Sequence, residues 1–354
     1  MMLAEPPSLL PPSPLRLRLD RDALAANWRT LDRLSGPAAA GAAVKANAYG
    51  LGTAHVVPVL AAAGCRNWFV AHWQEVPELL RHVPPAQVAV LHGPGTDADA
   101  AYARAAGVRP VLNSMPQVQR WLSAGGGPCD LMVDTGINRL GLAMSELGDP
   151  AIGLLEIDCC MSHLASADEQ STQNSLQLAR FGEVVQGVTA KRYSLANSAG
   201  IGLGADFHFA LTRPGIALYG GVPTSALAGR IAQVARPQAS VLQVRSLAAG
   251  EQVGYNATFT ASRPMRVGVV AMGYADGFLR CWAGKDVFLW QGERLPVLGR
   301  ISMDMTVVDL SRAHDCGEGD WLMLDYTLPE AAAESGLSQY ELLTLLGIRF
   351  ARQS

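Results

Sequence analysis

Along the first two-thirds of the chain, short apolar runs alternate with longer amphipathic stretches, the signature of repeated β–α units. The apolar runs at residues 39–46, 68–72, 88–93, 109–113, 131–135, 155–163, 193–197 and 211–218 each predict a strand. Between them, 20–33, 54–63, 74–80, 97–106, 116–124 and 169–186 carry the spacing of helices with one apolar face. Eight strands separated by helices predict an α/β fold, a closed (β/α)8 TIM-like barrel over residues 16–231. An open doubly wound sheet is the rival, but it gives no reason to stop at eight. Beyond residue 231 the rhythm changes. Runs at 239–247, 253–259, 265–272, 287–290, 305–310 and 321–324 are divided by Gly, Asp and Pro, and 337–346 reads as a helix. They predict a smaller, mainly-β C-terminal domain over 232–354. A chain of 354 residues exceeds what one core usually supports, so two domains suit its length.

The residues that close the eight strands change the picture from fold to chemistry. Lys45, His72, His92, Asn113, Asp134, His163, Asn197 and Arg213 stand at or just beyond the carboxyl ends of the runs. In a barrel those ends converge on one face, where active sites are built. One or two such residues would be ordinary turn chemistry; eight predict a ring around a pocket.

Composition narrows the partners. Net charge is −3 with no long basic or acidic run, which speaks against nucleic acid or a membrane surface. No apolar stretch approaches the ~18 residues of a bilayer span. Six cysteines, none in a CxxC pair, make neither a disulfide scaffold nor a zinc site, and no metal is expected. The Pro-rich residues 1–15 read as a flexible leader, without the basic start and apolar centre of a signal peptide. The expected compartment is the cytoplasm. Among 28 cationic side chains only Lys45, Lys191 and Lys285 are lysines. A lysine kept inside a structured motif then has a reason, because arginine cannot supply an uncharged amine.

Such a motif is AAVKANAYGLG, residues 42–52. An apolar strand delivers Lys45 and then turns through Asn47, Tyr49, Gly50 and Gly52 into a helix. A lysine in apolar surroundings has its pKa lowered and can act as an amine nucleophile or proton acceptor. The segment resembles the cofactor-lysine signature of the alanine racemases, pyridoxal-phosphate enzymes with an N-terminal barrel and a C-terminal β-domain. DTGINRLG (134–141), SHLASAD (162–168), ANSAG (196–200), RPGIALYG (213–220), GYNATFTA (254–261), GYADGF (273–278) and GRISMD (299–304) follow in the family's order. The resemblance runs from about residue 17 to about residue 346.

The resemblance implies a role for each motif. Lys45 would be the covalent anchor of pyridoxal 5'-phosphate and one catalytic base; Tyr255 would be the second base, on the opposite face of the substrate. Free tyrosine has a pKa of about 10 and needs cationic or hydrogen-bonding neighbours to work near neutrality. Tyr49, Ser198 and the backbone at Gly215 and Ile216 would hold the phosphate, with Asn197 beside them. A helix start suits that task because its free N–H groups face the anion; Ser198 could equally be an N-cap. Arg213 would face the pyridine nitrogen as a hydrogen-bond donor, giving a weaker electron sink than an acidic partner. His163 would stack on the cofactor ring. Arg139 and the backbone around Met303 would bind the substrate carboxylate, and Asp304 has the plainer part of a turn acceptor. Asp168, Tyr274, Arg280 and Arg300 match an access corridor. In the family the partner chain's second domain completes the pocket, which implies a head-to-tail homodimer with composite sites.

Three positions depart from the pattern. Met132 stands where many members carry a carbamylated lysine that braces the arginine matching Arg139, and methionine cannot form a carbamate. Leu51 replaces a histidine. Ile348 lies where some members place a gating tyrosine, and residues 348–354 align poorly. The expected function is interconversion of L- and D-alanine, supplying D-alanine for peptidoglycan. A broader racemase accepting serine is the alternative. A barrel-type amino-acid decarboxylase lacks the Tyr255 motif, and a single-barrel pyridoxal-phosphate carrier would lack residues 232–354.

Overall fold

The computed structural model describes residues 11–353. It divides into two compact units: Asp20–Val234, and the described residues through Leu19 together with those from Ala235 onward. Its strands in chain order are β1 (Leu15–Leu19), β2 (Ala39–Ala40), β3 (Ala42–Ala43), β4 (Trp68–Val70), β5 (Val88–Val90), β6 (Arg109–Leu112), β7 (Pro128–Met132), β8 (Glu156–Met161), β9 (Arg192–Ser194) and β10 (Leu211–Thr212). The second unit continues with β11 (Ala235–Leu247), β12 (Gln252–Val253), β13 (Phe259–Thr260), β14 (Met265–Val270), β15 (Asp286–Trp290), β16 (Glu293–Leu298), β17 (Thr306–Asp309), β18 (Trp321–Leu324) and β19 (Ala351–Gln353).

In the first unit β3 to β9 form a parallel sheet in sequence order, and β10 pairs with β2. β2 and β3 are two halves of one strand, interrupted at Gly41, whose N–H donates to Thr212 O at 2.9 Å. A side chain at Gly41 would meet Asn67 O and the Phe69 ring at 2.9 Å, so only glycine fits there. On the other flank Ala210 N donates to Tyr193 O and Arg213 N to Ala196 O, which joins β10 to the run of β9. Every edge is thereby paired, and eight parallel strands close into a barrel. β4, β5 and β6 are buried along their whole length, as strands covered on both faces must be. Charge inside the barrel is neutralised locally: Arg109 Nε donates to Asp130 Oδ1 at 3.1 Å, and Arg192 pairs with Asp158 at 2.5 Å. Helix α1 (Arg21–Leu34), capped by Asp20, turns Leu24, Asn27, Trp28 and Leu31 inward. Its Asn27 donates to Leu218 O and Ala232 O, fastening the first helix to the end of the barrel chain.

The second unit is antiparallel except for β1 beside β19. The thirteen-residue β11 pairs with β1 and β18 through its first half and with β14 through its second. The order β14–β17–β16–β15–β18–β11, with β11 also bonded to β14, makes a small closed barrel. It ends in helices α2 (Leu328–Ser335) and α3 (Gln339–Thr344).

Several expectations are corrected. The expected leader falls mostly on residues 1–10, outside the described residues, but Leu15 already begins β1. The expected start of the barrel at 16 moves to Asp20, and the expected boundary at 231 moves to Val234. The LRLRL run alternates buried and exposed residues, the habit of a one-faced strand, and pairs with β11. The expected strand 253–259 is mostly a turn, because Gly254, Asn256 and Ala257 have φ of 72°, 61° and 48°. β16 was hidden in sequence by its Glu, Arg and Pro296, a proline tolerated beside the irregular register of β15.

Candidate active site

All eight residues of the predicted ring lie within three positions beyond the carboxyl end of a barrel strand. Lys45 leaves β3 through Val44, whose N–H is held by Phe69 O. The next four residues, Ala46 to Tyr49, all adopt left-handed φ of 53–55°. For non-glycine residues this costs about 1–2 kcal/mol each, and a set of hydrogen bonds holds the turn in place. Ala46 N donates to Glu75, Ala48 N to Val44 O, Gly50 N to Ala46 O, and the Asn47 side chain accepts from Thr53 N. Glu75 also accepts from Ala71 N and His72 N, so one carboxylate ties the ends of two barrel strands together. Nothing in the periodicity marked Glu75.

This turn aims Lys45 into a cationic neighbourhood. Burial and the Arg139 guanidinium lower the Lys45 pKa, with Glu75 opposing them. Burial, then Arg213, Arg139 and Lys45, push His163 down to about 3, so it is a neutral ring at neutral pH. His92 stands edge-on to His72, with ring centres 4.4 Å apart, and burial and His72 lower its pKa. The structure therefore brings Lys45, Arg139 and Arg213 within electrostatic reach of His163. Arg213 is buried and donates to Ser194 Oγ and Ser162 O, both at 2.5 Å. Burial draws it down to about 10, which still leaves it protonated at neutral pH.

A second cluster gathers hydroxyl and backbone N–H groups. Ser198 Oγ accepts from Gly215 N at 2.8 Å and from Ala217 N at 3.3 Å. Tyr49 Oη would lie 2.3 Å from a Cβ on Gly215, so phenol, serine hydroxyl and backbone amides crowd one spot, next to Ile216. Tyr219, with its ring 4.8 Å from that of Tyr49 and its hydroxyl on Ala43 O, backs this cradle. The N-cap role open to Ser198 belongs to Asn197 instead: Asn197 has the extended backbone of a cap and accepts from Gly200 N at 2.8 Å. That leaves the Ser198 hydroxyl for the cradle. Asn113 turns away from the ring, giving its amide to Leu91 O and Val111 O.

Arg139 is held through its backbone. Asp134 accepts from Gly136 N, Asn138 N and Arg139 N. Burial opposes its charge, yet these N–H groups keep its pKa below the ordinary value. Among the described residues no carboxylate pairs with the Arg139 guanidinium, and Met132 is buried in β7.

In the second unit Tyr255 is 69% exposed on a left-handed turn, and Gly254 lies against the Arg300 backbone. Met303 is half-exposed, with its carbonyl accepting from Ala275 N. The Arg280 guanidinium stands 5.4 Å from the centre of the Tyr274 ring, a cation–π contact. Asp168 is exposed on its loop in the first unit.

The family profile described as "Alanine racemase, N-terminal domain" matches residues 19–223, and "Alanine racemase, C-terminal domain" matches 234–354. An alanine racemase of Acidiphilium cryptum is 41% identical, covering 95% of this chain and 97% of its own. A catabolic alanine racemase of Agrobacterium fabrum is 39% identical, covering 95% and 91%. The crystal structure of alanine racemase from Bartonella henselae, with covalently bound pyridoxal phosphate, superposes with a TM-score of 0.89 at 35% identity, covering 97% of this chain and 99% of that one.

Proposed function

This chain belongs to the alanine racemase family, a family of pyridoxal-phosphate isomerases, and from that premise we propose that it interconverts L- and D-alanine with Lys45 and Tyr255 as its two bases. The observation that carries this reading is a half-buried lysine of lowered pKa on the same barrel face as a cluster of donors suited to an anion.

The residues fit the cofactor. Tyr49, Ser198 and the backbone of Gly215 and Ile216 supply the neutral donors a phosphate takes, and Arg213 would donate to the ring nitrogen. His163, neutral and flat, suits stacking on the ring. When bound, pyridoxal phosphate supplies an electron sink for charge developing at the substrate Cα. Lys45 Nζ then moves the Cα proton on one face, which its lowered pKa favours. The Tyr255 phenolic oxygen moves it on the other. Arg139 and the backbone at Met303 hold the carboxylate, which keeps Cα between the two bases. Arg213, which keeps its own proton at neutral pH, would only donate a hydrogen bond to that ring nitrogen.

Large side chains left exposed on the second unit (Tyr255, Met303 and Met305) support burial against a second copy in a head-to-tail homodimer. No described helix is long and apolar enough to cross a membrane. Six free cysteines support a reducing, cytoplasmic setting. D-Alanine supply for peptidoglycan is the proposed role.

The test uses purified protein with pyridoxal phosphate and L-alanine in heavy water, with L-serine in parallel. Deuterated D-alanine forming fastest from alanine is the expected result. Faster turnover of serine would favour the broader racemase, to which the almost fully exposed Ile348 lends support. Exchange without inversion would remove Tyr255 from its role. Gly215→Ala is expected to weaken cofactor binding roughly tenfold, because the new Cβ meets Tyr49 Oη and overpacking on this scale costs ~1–3 kcal/mol. A spectrophotometric titration that gives an unchanged dissociation constant would take Gly215 out of the cradle.

A further inference from the structure

We propose that Arg349 is a positioning residue for substrate: its guanidinium clamps the two loops carrying Tyr274 and Met303 and so sets the affinity for the amino acid. The proposal rests on Met303 backbone binding the substrate carboxylate.

The clamp is built from three segments of the second unit. Arg349 Nε and one terminal nitrogen donate to the two oxygens of Asp276, at 2.7 and 2.9 Å. The other terminal nitrogen donates to Asp304 Oδ1 at 2.7 Å. Asp276 is fully buried and also accepts from Gly273 N, so it fixes the turn that presents Tyr274. Asp304 directly follows Met303. Backbone contacts join the same pieces: Tyr274 N donates to Ser302 O and Ala275 N to Met303 O. The strands of chain approach so closely that a Cβ on Gly273 would lie 2.4 Å from Met303 O, and one on Gly277 would lie 2.4 Å from Leu345 O. Arg349 is itself held from behind, its carbonyl accepting from Ser13 Oγ at 2.6 Å.

The two arms of the guanidinium do different work. The bidentate arm neutralises a buried carboxylate and belongs to stability, since removing it would leave Asp276 charged and unpaired. The arm to Asp304 joins two half-exposed side chains, and such a pair adds little to stability. What it fixes is the direction of the backbone at residue 303. Within the turn, Ser302 Oγ bonds Met305 O and accepts from Met305 N, so the turn is already closed on itself and moves as one piece. Arg349 is what anchors that piece from the side.

Asp304→Asn tests the second arm without disturbing Asp276, and Arg349→Lys tests the whole clamp. In the full-length holoenzyme, Asp304→Asn is expected to raise KM for alanine up to about fivefold, the equivalent of about 1 kcal/mol, with kcat, cofactor absorbance and thermal midpoint near wild type. Arg349→Lys raises KM at least as much, and adding Asp304→Asn to it brings little more, because the two act on one contact. Asp304→Glu, which keeps the carboxylate, recovers most of the loss. Hydrogen exchange gives a readout independent of turnover: the amides of Tyr274 and Ala275 are expected to exchange about tenfold faster in Arg349→Lys. Unchanged exchange at those amides, or an Asp304→Asn effect confined to kcat or to melting, would overturn the clamp. A wild-type enzyme inactive on alanine would instead sink the carboxylate reading, while the exchange result still decides whether Arg349 positions the loops.

Discussion

Replacing Lys45 by alanine abolishes covalent attachment of pyridoxal phosphate and lowers racemisation by at least about 10⁴-fold. The size follows from the two roles proposed for Lys45 at one atom. Its amine is the only lysine nitrogen on the barrel's catalytic face, since Lys191 pairs with Glu156 at an exposed position and Lys285 lies in the second unit. Burial and Arg139 lower its pKa, which raises the fraction of uncharged amine able to attack a carbonyl or take a proton. Alanine at this position removes nucleophile and base together, while the left-handed turn behind it keeps its own hydrogen bonds. The cradle of Tyr49, Ser198 and Gly215 is untouched, so weak, non-covalent cofactor binding persists. The check is the visible cofactor band together with the adduct trapped by borohydride. A variant that keeps both would end the assignment of Lys45.

Tyr255→Phe is expected to slow racemisation in both directions by about 10²–10⁴-fold, the usual worth of one general acid–base group, and to slow Cα exchange with solvent unequally for the two enantiomers. With the two proposed bases on opposite faces, each enantiomer would give its Cα proton to a different group. Loss of the phenolic oxygen leaves Lys45 able to remove and return the proton of the enantiomer it faces. That enantiomer still exchanges with heavy water but no longer inverts; the other does neither at an appreciable rate. The substitution removes one oxygen from a side chain that is mostly exposed in the single chain, so stability should change little. Equal, small losses of Cα deuterium exchange from both enantiomers, measured by NMR, would place the second base elsewhere.

Much of this was legible before any coordinates. Strands β4, β5 and β6 are buried on both faces, so their apolar runs stand out, and a polar residue follows each barrel run. The resemblance then supplied roles for residues such as Tyr255 and Arg213 that spacing alone leaves open. Less legible were elements whose residues answer to local geometry. The turn at 254–257 reads as a strand because its residues are β-formers, whereas left-handed φ at three positions breaks the pairing. β1 is not legible in sequence as part of the second unit because its partners, β11 and β19, lie more than two hundred residues away.

The sequence by itself determined the succession of barrel strands, the two-part architecture, the lysine at the end of the first barrel strand and the family. These depend on periodicity and on short motifs, which are local along the chain. Only the tertiary structure decided that Asn197 rather than Ser198 caps its helical turn, that Glu75 stitches two strand ends beside Lys45, and that Arg349 grips Asp276 and Asp304. Each of those is a contact between side chains and backbone that only folding brings together. A carboxylate in a sequence carries no mark of which N–H or guanidinium will find it; burial and hydrogen-bond geometry make that choice.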